Sequence, residues 1–305
     1  MSPPPARLRS ALSAALVALA CLLAPCGALA AWAAYDLADT GRYVTTMAPL
    51  AADPAVRNAV ADTVGAGIMD EVDAHVDVRP LRGADVRPYV HDAVHSFTRT
   101  AAFRLAWDAA NRAVHDAVLR ALHDGSEHDV TVDLAPVTAQ VKRQLAVDHV
   151  PFANRIPVEH TEVPVLPVQE LDRLRKGFRV LEVAGFWLPV TAVVLAVAGI
   201  GVATCRRRAV TATALGTALG GALLALAVMI GRRLTLADLP EEAHQPAAGA
   251  VYDALTATLR EASWLLVALG LTVALATWLT GRRRRPGAPS SPTPDPARRP
   301  PGVRV

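Results

Sequence analysis

Four stretches of this chain carry no Asp, Glu, Lys or Arg: Ser10 to Tyr35, Val183 to Cys205, Ala209 to Gly231 and Ala262 to Gly281. Each reaches the ~20 apolar residues needed to cross a hydrocarbon core about 30 Å thick. In lipid the backbone must satisfy its own polar groups, so each stretch is predicted to be a helix. Four buried helices of one large soluble core would be the alternative. Such helices would not be fenced by arginine runs and tryptophans. Composition agrees with membrane insertion: 52% of the 305 residues are hydrophobic and only 19% charged, against ~25% charged in ordinary soluble domains. Three Cys are too few to staple a secreted module.

The expected architecture is mainly α: four transmembrane helices plus an extracytoplasmic helical domain with a small β-ribbon. Residues 1–9 form a cytoplasmic N-terminus, 10–35 the first span, 36–182 the extracytoplasmic domain and 183–205 the second span. A cytoplasmic turn at 206–208 leads to the third span at 209–231. An extracytoplasmic loop at 232–261 leads to the fourth at 262–281, and 282–305 form a disordered cytoplasmic tail. The tail holds seven Pro, a composition that builds no core. Trp32, Trp187, Trp264 and Trp278 stand near span edges, where an amphipathic indole prefers to lie at the membrane interface.

Orientation follows from arginine. The segments assigned to the cytoplasm carry twelve Arg and one acid, Asp295. Residues 36–182 carry 22 acids against 16 basic residues. The positive-inside bias therefore places both termini in the cytoplasm of a multi-pass plasma-membrane protein. Arg232 and Arg233 run locally against it. Ala28-Leu29-Ala30 offers a small-x-small cleavage pattern, but the uncharged run is long for a signal peptide, and an uncut anchor is expected.

The extracytoplasmic segment reads as mostly helical. Asp53-Pro54 opens a helix. Val56, Val60, Val64, Ile68, Val72 and Val76 give it an apolar stripe. Gly65 and Gly67 weaken that helix or let another approach closely. A second helix is expected from about Ala84 to Phe97. A third is expected from Ala101 to about His123, capped by Thr100 and stopped by Gly125, with Asp108/Arg112 and Asp116/Arg120 as four-apart ion pairs. Asp129 to Leu134 alternates strictly and reads as a strand. Pro136 starts another helix. Val158 to Val165 is extended and rich in Pro, fit only for an edge strand of a ribbon with the first. From Pro167 onward the pattern predicts one long helix that leaves this domain and enters the bilayer.

Arg42-Tyr43-Val44, Met47 to Val56, Ala106 to His115, Val132 to Pro136, Arg155-Ile156-Pro157 and Trp187-Leu188-Pro189 form a distinctive set. Through them the chain resembles a family of uncharacterised actinobacterial four-span integral membrane proteins with an outer helical domain. The resemblance spans roughly residues 35–280. It implies a plasma-membrane protein and carries no catalytic residues to transfer.

Few residues suggest chemistry. His91-Asp92-Ala93-Val94-His95 puts two imidazoles one helical turn apart, the spacing zincins use with Glu between the ligands. Asp stands in that place here and no third ligand is fixed, so a solvated helix face is the expected state. Asn111 and His115 are expected to form a buried hydrogen-bonded pair beside Trp107. Gly216 and Gly220, with Ala212 a turn earlier, mark a helix-packing face. The spans hold no charged residue, which disfavours a proton- or ion-translocating pump. The chain has no phosphate-binding Gly loop and no nucleophile elbow. The acidic outer segment makes nucleic acid an improbable partner.

No catalytic residue, metal site or cofactor is assigned. The expected partners are the lipid bilayer and an unidentified envelope protein. The leading functional expectation is a non-enzymatic envelope interaction or sensing module. The alternatives are a metal-dependent envelope hydrolase using His91 and His95, and an accessory subunit of a transport complex.

Overall fold

The computed structural model describes residues 6–75, 87–124, 130–133, 135–147, 162–166, 168–239 and 242–282. It is mainly helical, and four of its helices are long and apolar enough to cross a membrane. These are α1 (Ala6–Trp32), prolonged by a wide π turn to Leu37, and α7 (Val168–Val202), α8 (Arg206–Ala237) and α10 (Ala257–Arg282). Each is longer than its charge-free stretch. Polar residues at the ends continue the same helix, because nothing there breaks it.

The remaining helices form a head at one end of these four. They are α2 (Thr40–Met47), a 3-10 turn (Ala48–Ala52), α3 (Pro54–His75), α4 (Arg87–Phe97), α5 (Ala101–Asp124), α6 (Ala135–Val147) and α9 (Gln245–Leu255). Short polar caps start them. Asp39 accepts from Arg42 N at 2.7 Å, Asp53 from Ala55 N at 2.8 Å and Thr100 Oγ1 from Phe103 N at 3.2 Å. Val130–Asp133 (β1) pairs antiparallel with Glu162–Leu166 (β2), with a register irregularity between Val130 and Thr131. Pro164 stands opposite Thr131, a place its missing N–H permits because β2 has a single neighbour.

The long helices pack through small residues in three seams. In the first, α1 and α7 run antiparallel. A Cβ on Gly27 would meet the Pro189 backbone at 3.0 Å, and one on Gly185 the Ala34 side chain at 2.6 Å. At the other end Ser13 Oγ donates to Gly199 O at 2.7 Å. In the second, α1 lies along α8, with Cys21 against Gly216 and the Pro25 ring against Gly220. In the third, α8 and α10 run antiparallel, with Gly221 against Ser263 and Leu266, and Gly270 against Ala214 and Ala218. Such small residues let helices approach closely where the surrounding solvent supplies no apolar driving force.

Outside the seams the four helices are bare. Only 17–28% of each apolar window is buried. Leu22, Val197, Leu223, Leu265 and Leu269 are among the large apolar side chains left exposed. Each gains about 1.5–3 kcal/mol on leaving water. The exposed faces of α8 and α10 together would thus gain more from an apolar solvent than the ~5–15 kcal/mol that holds a typical fold.

The head has its own core. Met47, Leu50 and Val56 are buried at its centre, with Tyr43, Val60 and Trp107 around them. Trp107 Nε1 donates to Met47 O at 2.9 Å. The remaining wall comes from α9, through Ala247, Ala250, Val251, Ala254 and Leu255. The segment 232–261, expected to be a loop, therefore holds a helix that completes a core begun two hundred residues earlier.

Other expectations differ in detail. The valine stripe of α3 is buried at Val56, but Val64 and Ile68 are exposed. A four-residue repeat drifts around a helix of 3.6 residues per turn and so leaves the packed face. Gly65 and Gly67 have nothing within 4 Å of an added Cβ, so among the described residues no helix approaches closely there. Arg232, locally at odds with the arginine bias, forms a two-pronged pair with Asp253 of α9 at 2.9 and 3.1 Å. Its charge is compensated within the chain. Val76, the start of the second helix at Ala84, Gly125, Val158 to Thr161 and the tail after Arg282 lie outside the described residues.

Candidate functional site

The polar residues of the head gather in two places. The first is where the head meets the long helices. His115 of α5 reaches α1 and α2 together: its Nε2 donates to Leu37 O at 2.8 Å, and its Nδ1 lies 3.1 Å from Thr40 Oγ1. Thr40 donates to Asp116 Oδ1 at 2.6 Å. The Tyr43 ring stacks on His115, with centroids 4.3 Å apart. Burial pushes the Tyr43 hydroxyl above its ordinary range. The expected pairing of Asn111 with His115 does not form. Asn111 Nδ2 instead donates to Trp107 O one turn earlier, at 2.8 Å. Both side chains found backbone carbonyls, which sequence spacing cannot foresee.

Two further bonds tie the head to the long helices. Trp32 Nε1 donates to Leu255 O at 3.0 Å, joining α1 to the end of α9. Tyr252 donates to Val228 O of α8 at 2.9 Å. Burial raises the Tyr252 hydroxyl above its usual range, Asp253 adds to that, and Arg232 opposes it. On α7, buried Arg175 donates to Ala121 O at 2.9 Å, and Phe178 meets His123 edge-on at 5.2 Å. The head is thus anchored to α1, α7 and α8.

Replacing His115 by Ala removes both polar contacts and the stack. The expected loss is about 2–3 kcal/mol, read as a lower thermal midpoint of the head; an unchanged midpoint would contradict the joint. Asp108, near Trp107, carries a carboxyl raised by burial and pulled back by the Arg112 charge. A raised carboxyl costs the native state its charged form, so that penalty is present at neutral pH and vanishes once the group is protonated in both states. Asp108→Asn is therefore expected to melt higher than wild type at pH 7, the gap closing toward about pH 4. A gap that widened on acidification would be the wrong sign.

The second place is the face between α3 and α4. His91 and His95 lie one turn apart with rings roughly parallel and centroids 6.1 Å apart. Each already has a partner across the helix pair: His91 Nε2 lies 3.1 Å from Asp62 Oδ1, and His95 Nε2 3.1 Å from Asn58 Oδ1. Both members of the His91–Asp62 pair are half exposed, so the contact adds little stability. A groove of about 400 Å³ runs beside them, lined by Asp62, Asp70, Arg87 and His91 among others. Among the described residues no three of His, Cys, Asp or Glu converge as a metal site would need.

The remaining residues singled out from sequence lie on the long helices. Trp187, Trp264 and Trp278 are exposed, and the Arg282 guanidinium sits 4.4 Å over the Trp278 ring. Gly216 and Gly220 contact α1 of the same chain, at Cys21 and Pro25. The seam glycines Gly27, Gly185, Gly199, Gly221 and Gly270 lacked a four-residue spacing to reveal them. No protein-family model, curated protein or solved structure matches the chain.

Proposed function

We propose that the chain is a multi-pass plasma-membrane protein with both termini in the cytoplasm, whose head is a non-enzymatic interaction or sensing module on the extracytoplasmic side. Bare apolar windows on four helices support the bilayer as solvent. The arginine bias supports the orientation, and the Arg232–Asp253 pair lessens the one local conflict with it. Kinship with actinobacterial four-span proteins belongs to the same reading.

One observation carries the interaction-module reading: α7 runs 35 residues without interruption from the ribbon through the head and along the bundle. With the joints at Leu37, Leu255 and Val228, a force or ligand on the head would reach the long helices through rigid elements. The test is photo-crosslinking in intact cells from a benzophenone side chain placed at Tyr89, which is exposed on α4. The expected result is a discrete adduct with an envelope component, absent when the probe stands at Arg206. Adducts from Arg206 alone would contradict the proposal. Stoichiometric zinc in the purified full chain, lost in His91→Ala, would favour the hydrolase instead.

A further inference from the structure

At the end of the bundle remote from the head, a groove of about 480 Å³ opens between α1, the turn joining α7 to α8, and α8. Its walls are apolar and small: Ala14 and Ala18 on one side, Ala209 and Ala212 on the other. Its mouth is polar, with Ser10 and Arg208. It ends inside the bundle at Cys21 and Gly216, where α1 and α8 touch.

Among the described residues, charge at this end has one sign. No Asp or Glu occurs in residues 1–35 or 183–237. Arg207 is spoken for: its guanidinium donates to Thr277 O and Trp278 O at the end of α10. Among the described residues no carboxylate stands against Arg208, Arg206, Arg7 or Arg9. The occupant of this mouth should therefore be an anion. The groove also has length. From Ser10 to Cys21 along α1 is about 16 Å at 1.5 Å per residue, close to half of a ~30 Å hydrocarbon core. A free phosphate would use the mouth and leave the apolar depth empty.

We infer that this groove binds one anionic phospholipid, its phosphate at Arg208 and one acyl chain laid between α1 and α8. The inference rests on the membrane reading above. An arginine–phosphate contact is charge-assisted, and a basic residue at an anionic membrane surface contributes about 1 kcal/mol, or roughly fivefold in retention.

The test uses the full chain in neutral detergent, titrated with phosphatidylglycerol or phosphatidylcholine of matched chains and read by native mass spectrometry. Retention of one phosphatidylglycerol per chain is expected, with phosphatidylcholine retained at least fivefold less. Arg208→Gln should lower phosphatidylglycerol retention about fivefold. Ala212→Phe, which fills the groove from an exposed position, should do so without altering the thermal midpoint of the head. Arg282→Gln, outside the groove, should retain the lipid as wild type does. Inorganic phosphate should not displace it. Equal retention of both lipids, equal loss in Arg282→Gln and Arg208→Gln, or displacement by inorganic phosphate would each overturn the site while leaving the membrane reading intact. A chain that stayed dispersed without detergent would instead sink the membrane reading, and the site with it.

Discussion

Val251→Asp is expected to unfold the head while the four long helices stay together. Val251 of α9 packs against Met47, Leu50 and Val56, with Ala247, Ala250, Ala254 and Leu255 beside it. A carboxylate there would face apolar side chains. The pairs that hold α9 at its rim, Arg232 and Arg260 with Asp253, already satisfy their own acid. An unpaired charge in such a place costs about 3–5 kcal/mol, a large share of what a domain has. Under native conditions protease should then cut within α2 to α5, while the bundle survives in detergent. Val251→Ala, which only trims the contact, should keep the head folded. A Val251→Asp chain with wild-type protease resistance would show that α9 is not part of the core.

The second large effect is expected at the seam between α8 and α10. A Cβ on Gly270 would meet Ala214 O, and would lie 2.8 Å from Ala218 N and Ala218 Cβ. The obstacle is backbone, which cannot swing aside as a long side chain would. Gly270→Leu must therefore push the helices apart along their length, loosening Gly221 against Ser263 and Leu266 as well. Overpacking of this kind costs about 1–3 kcal/mol or more, and the thermal midpoint in detergent is expected to fall by roughly 5–10 °C. Gly201→Leu is the control, since nothing lies within 4 Å of an added Cβ there. Equal midpoints for the two variants would mean that the seam does not hold the bundle.

Some of this architecture was legible in the residues. The charge-free stretches announced the four long helices, because burial in lipid selects against any ionised side chain. Asp53 and Thr100 announced two helix starts, because a short polar side chain fills an orphan N–H. The run from Val168 to Val202 announced α7, because the apolar spacing of Leu171, Leu174, Phe178 and Leu181 leads straight into the charge-free stretch and neither Gly177 nor Pro189 ends the helix. What stayed hidden was tertiary. Gln245–Leu255 is short and alanine-rich, so its helical pattern was too weak to stand out from a connecting loop. His115 and Leu37 are far apart in sequence and meet only because α1 overshoots its apolar stretch. Gly216 and Gly220 were found by their spacing on one helix. Gly185, Gly221 and Gly270 were missed because each acts alone against a neighbour the sequence does not name. His91 and His95 were seen as a pair, but their partners Asp62 and Asn58 lie on another helix.

The most direct measurement is labelling with a membrane-impermeant maleimide in intact cells and in inverted vesicles. One chain keeps Cys205, exposed at the arginine end, with Cys21 and Cys26 replaced by Ala. A second chain lacks all three native Cys and carries Asp62→Cys on the half-exposed face of α3. Asp62→Cys should react in intact cells and Cys205 only in inverted vesicles. If both positions reacted from the same side, the four long helices would not separate the head from the arginine end across a bilayer.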